Sequence, residues 1–151
     1  MISYLSVATM LVLSACSGWQ APTDVGWNTN TPQASSSSQD IKEPQADGTY
    51  LVEMTSDWFS PDTLTIKVWD KVNFVNNDSS PHWPASARHP THTVYPWSWI
   101  EKCWTSEQSG IFDACKWLAQ GETFSFVFTH KWEWKYHDHL NPSTTWTIIV
   151  Q

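Results

Sequence analysis

The chain has 151 residues, a length that suggests one domain with an appendage. Its formal net charge is −7, and only 15% of its residues are charged. Because it has no basic patch, nucleic acid is not expected as a partner. The 40% share of hydrophobic residues is enough for a globular body with a core.

The first sixteen residues, MISYLSVATMLVLSAC, contain an apolar run that is too short to span a bilayer as a mature helix. Such a run is typical of the central part of a secretory signal peptide. The stretch LSAC resembles the bacterial lipoprotein signal, in which the cysteine becomes the lipidated first residue. We therefore predict a signal peptide over residues 1–15 and lipidation at Cys16. The alternatives are an ordinary cleaved signal or a buried N-terminal segment.

Residues 16–47 are rich in Ser, Thr, Pro, Gln and Asn and contain few large aliphatic side chains. Such a segment cannot bury enough apolar surface to offset the entropy lost on ordering. We predict a disordered tether with extended character at its prolines. A lipid anchor and a tether together predict an exported protein, attached to a membrane at the cell surface or in the periplasm.

From residue 48 the pattern changes to short runs of β-branched and aromatic residues. The runs are TYLVEM, DTLTIKV, KVNFVN, ETFSFVFTH, EWKYH and TIIV. Alternation places Phe124, Phe126 and Phe128 on one face of a strand. No run shows the longer period of a helix. Short strands separated by turn residues predict an all-β sandwich or barrel over residues 48–151.

Five of the six histidines fall in two segments, SSPHWPASARHPTHT and EWKYHDHLNP. In the second segment Trp134 and Tyr136 alternate with charged residues, which predicts a half-buried strand that ends at the NP pair. His137 and His139 are two apart, so a strand would place both on one face. They could chelate one metal ion or hold one each of two ions. The alternative is a pair of solvated histidines in a loop.

Two cysteines remain besides the one predicted to carry lipid. Cys103 and Cys115 flank the segment WTSEQSGIFDA. Two cysteines in an exported domain predict one disulfide. A metal thiolate is the alternative, which we disfavour because neither cysteine adjoins the histidines at a strand end.

The region from about residue 50 to residue 151 resembles the cupredoxins, the plastocyanin-like copper proteins. FSPDTLTIKV, DKVNFVNND, PHW, GETFSFVF, EWKYH and TIIV occur in the order and with the spacing of that family. The resemblance implies a Greek-key sandwich of two sheets, with copper bound between the loops at one end. It also implies a redox partner protein.

The family's ligand positions are only partly matched. His82 falls on the first ligand histidine of the family. The position of the ligand cysteine is occupied by Asp138, that of the second histidine by Asn141, and that of the methionine by Thr144. Because no thiolate is available at this position, the resemblance implies a copper site that is not of the blue type.

Two short motifs also resemble those of the multicopper oxidases: the dipeptide His82-Trp83 and the segment YHDH at residues 136–139. In that family, His-x-His motifs hold a multi-copper cluster. We predict a histidine-rich copper site, although imidazoles would also accept zinc or nickel. Asp138 would bind the ion or orient an imidazole. His130 is predicted to be a surface residue. The predicted metal-binding residues are His82, His89, His92, His137, His139 and Asp138.

These observations predict an exported, membrane-anchored copper-binding protein for copper handling or redox relay, and favour a role other than catalysis. One alternative is a subunit of an oligomeric enzyme like the multicopper oxidases, because one domain has too few histidines for a full cluster. The other is a metal-free binding module.

Tryptophan is unusually frequent, with twelve Trp against five Gly. Some Trp residues fall where the cupredoxin pattern has glycine, the residue that adopts positive φ at no steric cost. We hypothesise that the gene uses a code in which UGA specifies glycine and that ten tryptophans are misreadings. Trp83 and Trp134 are expected aromatics, and the alternative is a Trp-rich surface for sugars or peptides. The ten positions are Trp19, Trp27, Trp58, Trp69, Trp97, Trp99, Trp104, Trp117, Trp132 and Trp146.

Overall fold

The computed structural model describes residues 42–151, which form eight strands and two single-turn 3-10 helices. The predicted signal peptide, the lipidation site at Cys16 and most of the predicted tether lie outside the described residues. No helix in residues 42–151 is long and apolar enough to cross a membrane. The strands are β1 Thr49–Met54, β2 Phe59–Ser60, β3 Thr63–Ile66, β4 Lys71–Asn76, β5 Pro84–Ser86, β6 Thr123–Val127, β7 Trp132–Asp138 and β8 Asn141–Val150, and the 3-10 helices are Ile100–Lys102 and Gln108–Gly110.

The strands form two four-stranded mixed sheets. The first sheet has the order β2-β1-β4-β6, and the second has the order β3-β8-β7-β5. Each sheet contains one parallel pair, β1 with β4 and β3 with β8, and its other pairs are antiparallel. At one edge of the second sheet, β5 pairs with β7 and leads directly into the long loop of residues 87–122.

The core lies between the two sheets, because each strand turns alternate apolar side chains inward. In β4 the alternation buries Val72 and Phe74, and in β8 it buries Ile148 and Val150. Tyr95, from the long loop, joins the same core cluster. The prediction of an all-β sandwich is therefore confirmed.

The strand boundaries differ from the sequence prediction around the NP pair. The pair was expected to end a strand, but β8 begins at Asn141 and continues through Pro142. Asn141 lies opposite Asp138 and Thr145 lies opposite His137, so residues 142–144 have no partner on β7. Pro142 is tolerated because it sits in this unpaired stretch, where no ladder hydrogen bond is needed from its nitrogen.

A disulfide closes part of the long loop, as predicted. Cys103 and Cys115 are bonded, with their Cα atoms 5.2 Å apart, and both side chains are buried. Ile111 and the partly buried Ile100 pack around them in a small separate cluster. The bond fixes the return of the loop toward β5, where Ala114 N donates to Pro84 O at 3.0 Å.

Replacing Cys103 and Cys115 together by serine is expected to lower the free energy of unfolding by about 2–4 kcal/mol, because the bond restricts the unfolded chain. Urea denaturation of the oxidised protein and of the variant measures the difference. Thiol titration should find two additional free thiols only after reduction. Equal unfolding midpoints would show that the bond does not stabilise the domain.

Candidate metal centre

Four histidines converge at one end of the sandwich. His89 and His92 come from the long loop, His137 lies in β7, and His139 follows that strand. One ring nitrogen from each lies within 4.8 Å of those of the other three. We call these four residues the histidine cluster.

The loop after β5 brings the first two members into place. Val94 N donates to Ala87 O at 2.6 Å, and His92 N donates to Arg88 O at 2.8 Å, so residues 87–94 turn back tightly. His92 has a φ of 57°, in the left-handed region that is costly for a residue with a side chain. Strain of this kind often occurs at functional sites, where the surroundings must hold the residue in place.

An irregularity in β7 brings the other two members to the same place. The pairing of β7 with β8 shifts between His137 and Asp138, so simple alternation fails there. Tyr136 faces the core, while His137 is buried at the cluster, where its ring lies 5.0 Å from the ring of His92 between centroids. His139 N donates to Trp83 O at 2.8 Å, which holds the chain beyond the irregularity.

His137 is buried without any hydrogen-bond partner. Its side chain is 1% exposed, and neither Nδ1 nor Nε2 has a partner. Burial lowers the pKa of His137 to about 4, helped by the neighbouring His92, His89 and His139. A buried polar group with no partner is costly in a folded protein. A neutral imidazole with a free lone pair, aimed at three others, is what a metal ligand requires.

His139 and His92 approach each other directly. Nδ1 of His139 lies 2.9 Å from Nε2 of His92. Two metal–nitrogen bonds of about 2.0 Å at a right angle place their nitrogens about 2.8 Å apart, so the pair can bind one ion side by side. Burial also lowers the pKa of His139, followed by the effects of His92 and His89. His137 and His139 therefore favour the neutral form.

Solved structures share this architecture, although no protein-family model matches the chain and no curated protein matches its sequence. A purple cupredoxin from Nitrosopumilus maritimus is 20% identical over 68% of this chain and 99% of its own, with a TM-score of 0.52. A reduced amicyanin variant is 19% identical over 71% of this chain and 86% of its own, with a TM-score of 0.55. The domain has a cupredoxin-like fold.

The cupredoxin-like domain does not bring His82 into the cluster, contrary to the predicted ligand set. His82 Nδ1 lies 2.8 Å from Asp138 Oδ2, and its Nε2 lies 3.2 Å from Asp78 Oδ2. The backbone of His82 pairs with Leu118 in both directions, which fixes the main chain at this residue. Since both ring nitrogens contact carboxylates, His82 links the loop after β4 to the end of β7 instead of facing the other histidines.

Asp138 also lies outside the histidine cluster, although it is between two of its members in sequence. Its carboxylate accepts hydrogen bonds from Trp83 N at 2.9 Å and Leu140 N at 3.1 Å, besides its contact with His82. These contacts fix the backbone that carries His137 and His139. Asp138 is therefore not grouped with the histidine cluster, and the imidazole that it contacts is that of His82.

One residue beside the histidine cluster, Asp113, was not predicted from the sequence. Asp113 Oδ2 is hydrogen-bonded to Nδ1 of His92, and both side chains are fully buried. In the sequence Asp113 is an acid in the segment between the two cysteines, with no local pattern that links it to His92. Asp113 also lies near Cys103 and Cys115, but their sulfurs are bonded to each other and offer no thiolate. His130 is exposed, as predicted.

The metal-free protein is expected to lose stability as the pH falls from about 6.5 to about 4. Below pH 6.5 the unfolded chain takes up a proton on His137 that the folded protein excludes until about pH 4. The contribution is zero above this window and reaches roughly 2–3 kcal/mol of destabilisation at its lower end. Urea denaturation at pH 7 and pH 4.5 checks this, and His137→Gln should remove much of the difference. A stability that does not change between these pH values would contradict it.

Proposed function

We propose that this domain binds one copper ion per chain through the histidine cluster, in an exported, membrane-anchored protein that handles copper or relays electrons. The observation that carries this proposal is the convergence of four ring nitrogens, one of them on a buried imidazole that has no other partner. His92 and His137 are buried, His139 is partly buried and His89 is exposed. The ion would therefore lie at the surface end of the sandwich.

The chemistry of the donors supports copper. Neutral imidazoles suit Cu(II), and zinc and nickel are the competing ions. Three of the solved structures with this fold are Cu(I) forms of amicyanin variants, which favours copper among the three ions. Bound copper would supply one-electron chemistry, while the four histidines of this chain hold it and limit its contact with water.

The exposed side of the site supports a relay or delivery role. His89 is exposed and its ring lies 4.8 Å from that of His139 between centroids, so a partner protein could approach the ion through these two side chains. Attachment to a membrane through Cys16 would keep the site outside the cytoplasm and near such a partner. This part of the proposal rests on the sequence of the first 47 residues.

Titration of the purified protein with Cu(II) tests the proposal. One equivalent should bind, and the product should show the weak absorption of a nitrogen-ligated ion, because no thiolate is present to give an intense blue band. Electron paramagnetic resonance should show coupling to several ring nitrogens. Absence of binding would overturn the proposal, an intense blue colour would indicate a cysteine ligand, and several coppers per chain would favour the oxidase-like alternative.

A further inference from the structure

We propose that Asp113 positions His92 for metal binding and that its buried charge favours Cu(II) over Cu(I) at the site. This inference rests on the proposed function, since it concerns the same histidine cluster. It assigns to a loop carboxylate the control of both the orientation of one ligand and the redox preference of the ion.

Asp113 is held independently of the histidine that it contacts. Its Oδ1 accepts hydrogen bonds from Trp83 Nε1 and from Cys115 N, each at 2.7 Å. The backbone at residue 113 bridges to Ala85 in β5, and the disulfide begins two residues later. Its position is therefore set by a strand, an indole and the disulfide loop before His92 is added.

The contact with Asp113 decides which nitrogen of His92 faces the cluster with a lone pair. A carboxylate accepts hydrogen bonds, so Nδ1 of His92 carries the hydrogen. Nε2 is then the unprotonated nitrogen, and it points at His139, whose Nδ1 is 2.9 Å away. Carboxylate partners commonly fix the tautomer and the ring orientation of a ligating histidine in this way. His92 needs such support because its backbone has a positive φ.

The domain contains a second carboxylate–histidine contact that shows what is particular about this one. His82 has carboxylates on both ring nitrogens, from Asp78 and Asp138, so neither nitrogen faces the histidine cluster. Among residues 42–151, only His92 has a carboxylate on one nitrogen and another histidine on the other. The carboxylate contact of His92 can therefore orient a metal ligand. The carboxylate contacts of His82 only link the loop after β4 to the end of β7.

The charge of Asp113 matters because the four imidazoles supply none. Asp113 is fully buried, so water screens its field only weakly. A negative charge held close to the ion stabilises the doubly charged form more than the singly charged form. Removing that charge while keeping the shape should therefore weaken Cu(II) binding more than Cu(I) binding.

The test compares Asp113→Asn, Asp113→Ala and the control Asp78→Asn in the full chain. Asp113→Asn should weaken Cu(II) binding by about 10–100-fold and Cu(I) binding by less. Each tenfold difference between the two would raise the reduction potential by about 59 mV. Asp113→Ala should weaken both, since the hydrogen bond to His92 is also lost. Asp78→Asn changes a carboxylate–histidine contact away from the cluster and should leave both affinities unchanged.

A measurement without metal separates this inference from the proposed function. Nitrogen NMR of the metal-free protein should find the hydrogen of His92 on Nδ1, and Asp113→Ala should remove that preference. A hydrogen on Nε2 in the unaltered protein would overturn the positioning role even if a variant fails to fold. An unchanged potential in Asp113→Asn would overturn the electrostatic role. Failure of the unaltered protein to bind copper would instead reject the proposed function, and the NMR result would still decide the positioning of His92.

Discussion

Replacing His92 and His137 together by alanine is expected to lower the affinity for copper by more than about a hundredfold, beyond the 10–100-fold that indirect partners of a metal ligand usually contribute. These two histidines are the buried members of the cluster, with 0% and 1% of their surface exposed. Their removal leaves only His89 and His139, which lie nearer the solvent. Competition titration against a chelator of known affinity measures the loss.

The matched control is the pair His82→Ala and His130→Ala, which also removes two imidazoles. His130 is exposed, and both ring nitrogens of His82 are engaged by carboxylates, so the affinity should change by less than about tenfold. The loss of the His82 contacts should appear as a lower unfolding midpoint instead. A hundredfold loss of affinity in the control pair would restore His82 to the ligand set and reject the histidine cluster as the site.

The sandwich could be predicted from alternation because most strands have a clear buried face. The runs TYLVEM and KVNFVN correspond to β1 and β4 residue for residue. β2 and β5 were missed because strands of two and three residues are too short to show a period. β5 matters most for function, since it orders the edge of β7 and begins the loop that carries His89 and His92.

The concentration of histidines in two segments, the two-residue spacing of His137 and His139, and the resemblance to His-x-His motifs brought four members of the cluster into the predicted set. His82 was included in the predicted ligand set because it falls on the first ligand histidine of the cupredoxins, whereas the structure groups the other four histidines without it. What decides its role is a contact with Asp138, 56 residues away, and another with Asp78. Asp113 could not be predicted for the same reason, since its contact with His92 depends on the path of a loop closed by a disulfide.

The conformations of several tryptophans bear on the hypothesis that ten of them are glycines in the natural protein. Trp69, Trp97, Trp104 and Trp132 have φ values of 77°, 64°, 63° and 147°. All four lie with more than 65% of their surface exposed, so burial offers little to offset this strain. Glycine adopts such backbone conformations without a steric penalty. Four of the eight suspect positions in the described residues therefore have the backbone of a glycine.

Trp83 and Trp134 differ from these four tryptophans in burial and in backbone conformation, since neither has a positive φ. Each is 8% exposed, and each indole N–H donates a hydrogen bond at 2.7 Å, to Asp113 Oδ1 and His130 O respectively. A buried tryptophan normally has such a partner. The two tryptophans that were expected to be aromatic thus behave as structural residues.

Replacing Trp69, Trp97, Trp104 and Trp132 by glycine in one variant is expected to raise the free energy of unfolding by about 2–4 kcal/mol. The left-handed backbone costs a residue with a side chain about 1–2 kcal/mol. The greater freedom of glycine in the unfolded chain costs roughly 0.5–1 kcal/mol, which offsets part of the gain from relieving this strain. The net gain is then about 0.5–1 kcal/mol at each position, with little packing to lose at side chains that are 67–74% exposed. Urea denaturation of both proteins measures the sum.

The matched control replaces Trp58, Trp99 and Trp117 by glycine, since these are also exposed but have no positive φ. There the greater freedom of glycine in the unfolded chain has no strain to offset it, so stability should fall by roughly 0.5–1 kcal/mol per position. An equal effect in both variants would attribute the gain to the loss of exposed tryptophan and not to the backbone.

The codons give an independent answer, because UGG at the ten suspect positions would establish tryptophan there, whereas UGA combined with a glycine mass in the native protein would establish glycine. If the suspect positions are glycine, His92 and Cys115 would be the remaining non-glycine residues with a positive φ among residues 42–151. Both lie in the loop that Asp113 and the disulfide hold in place.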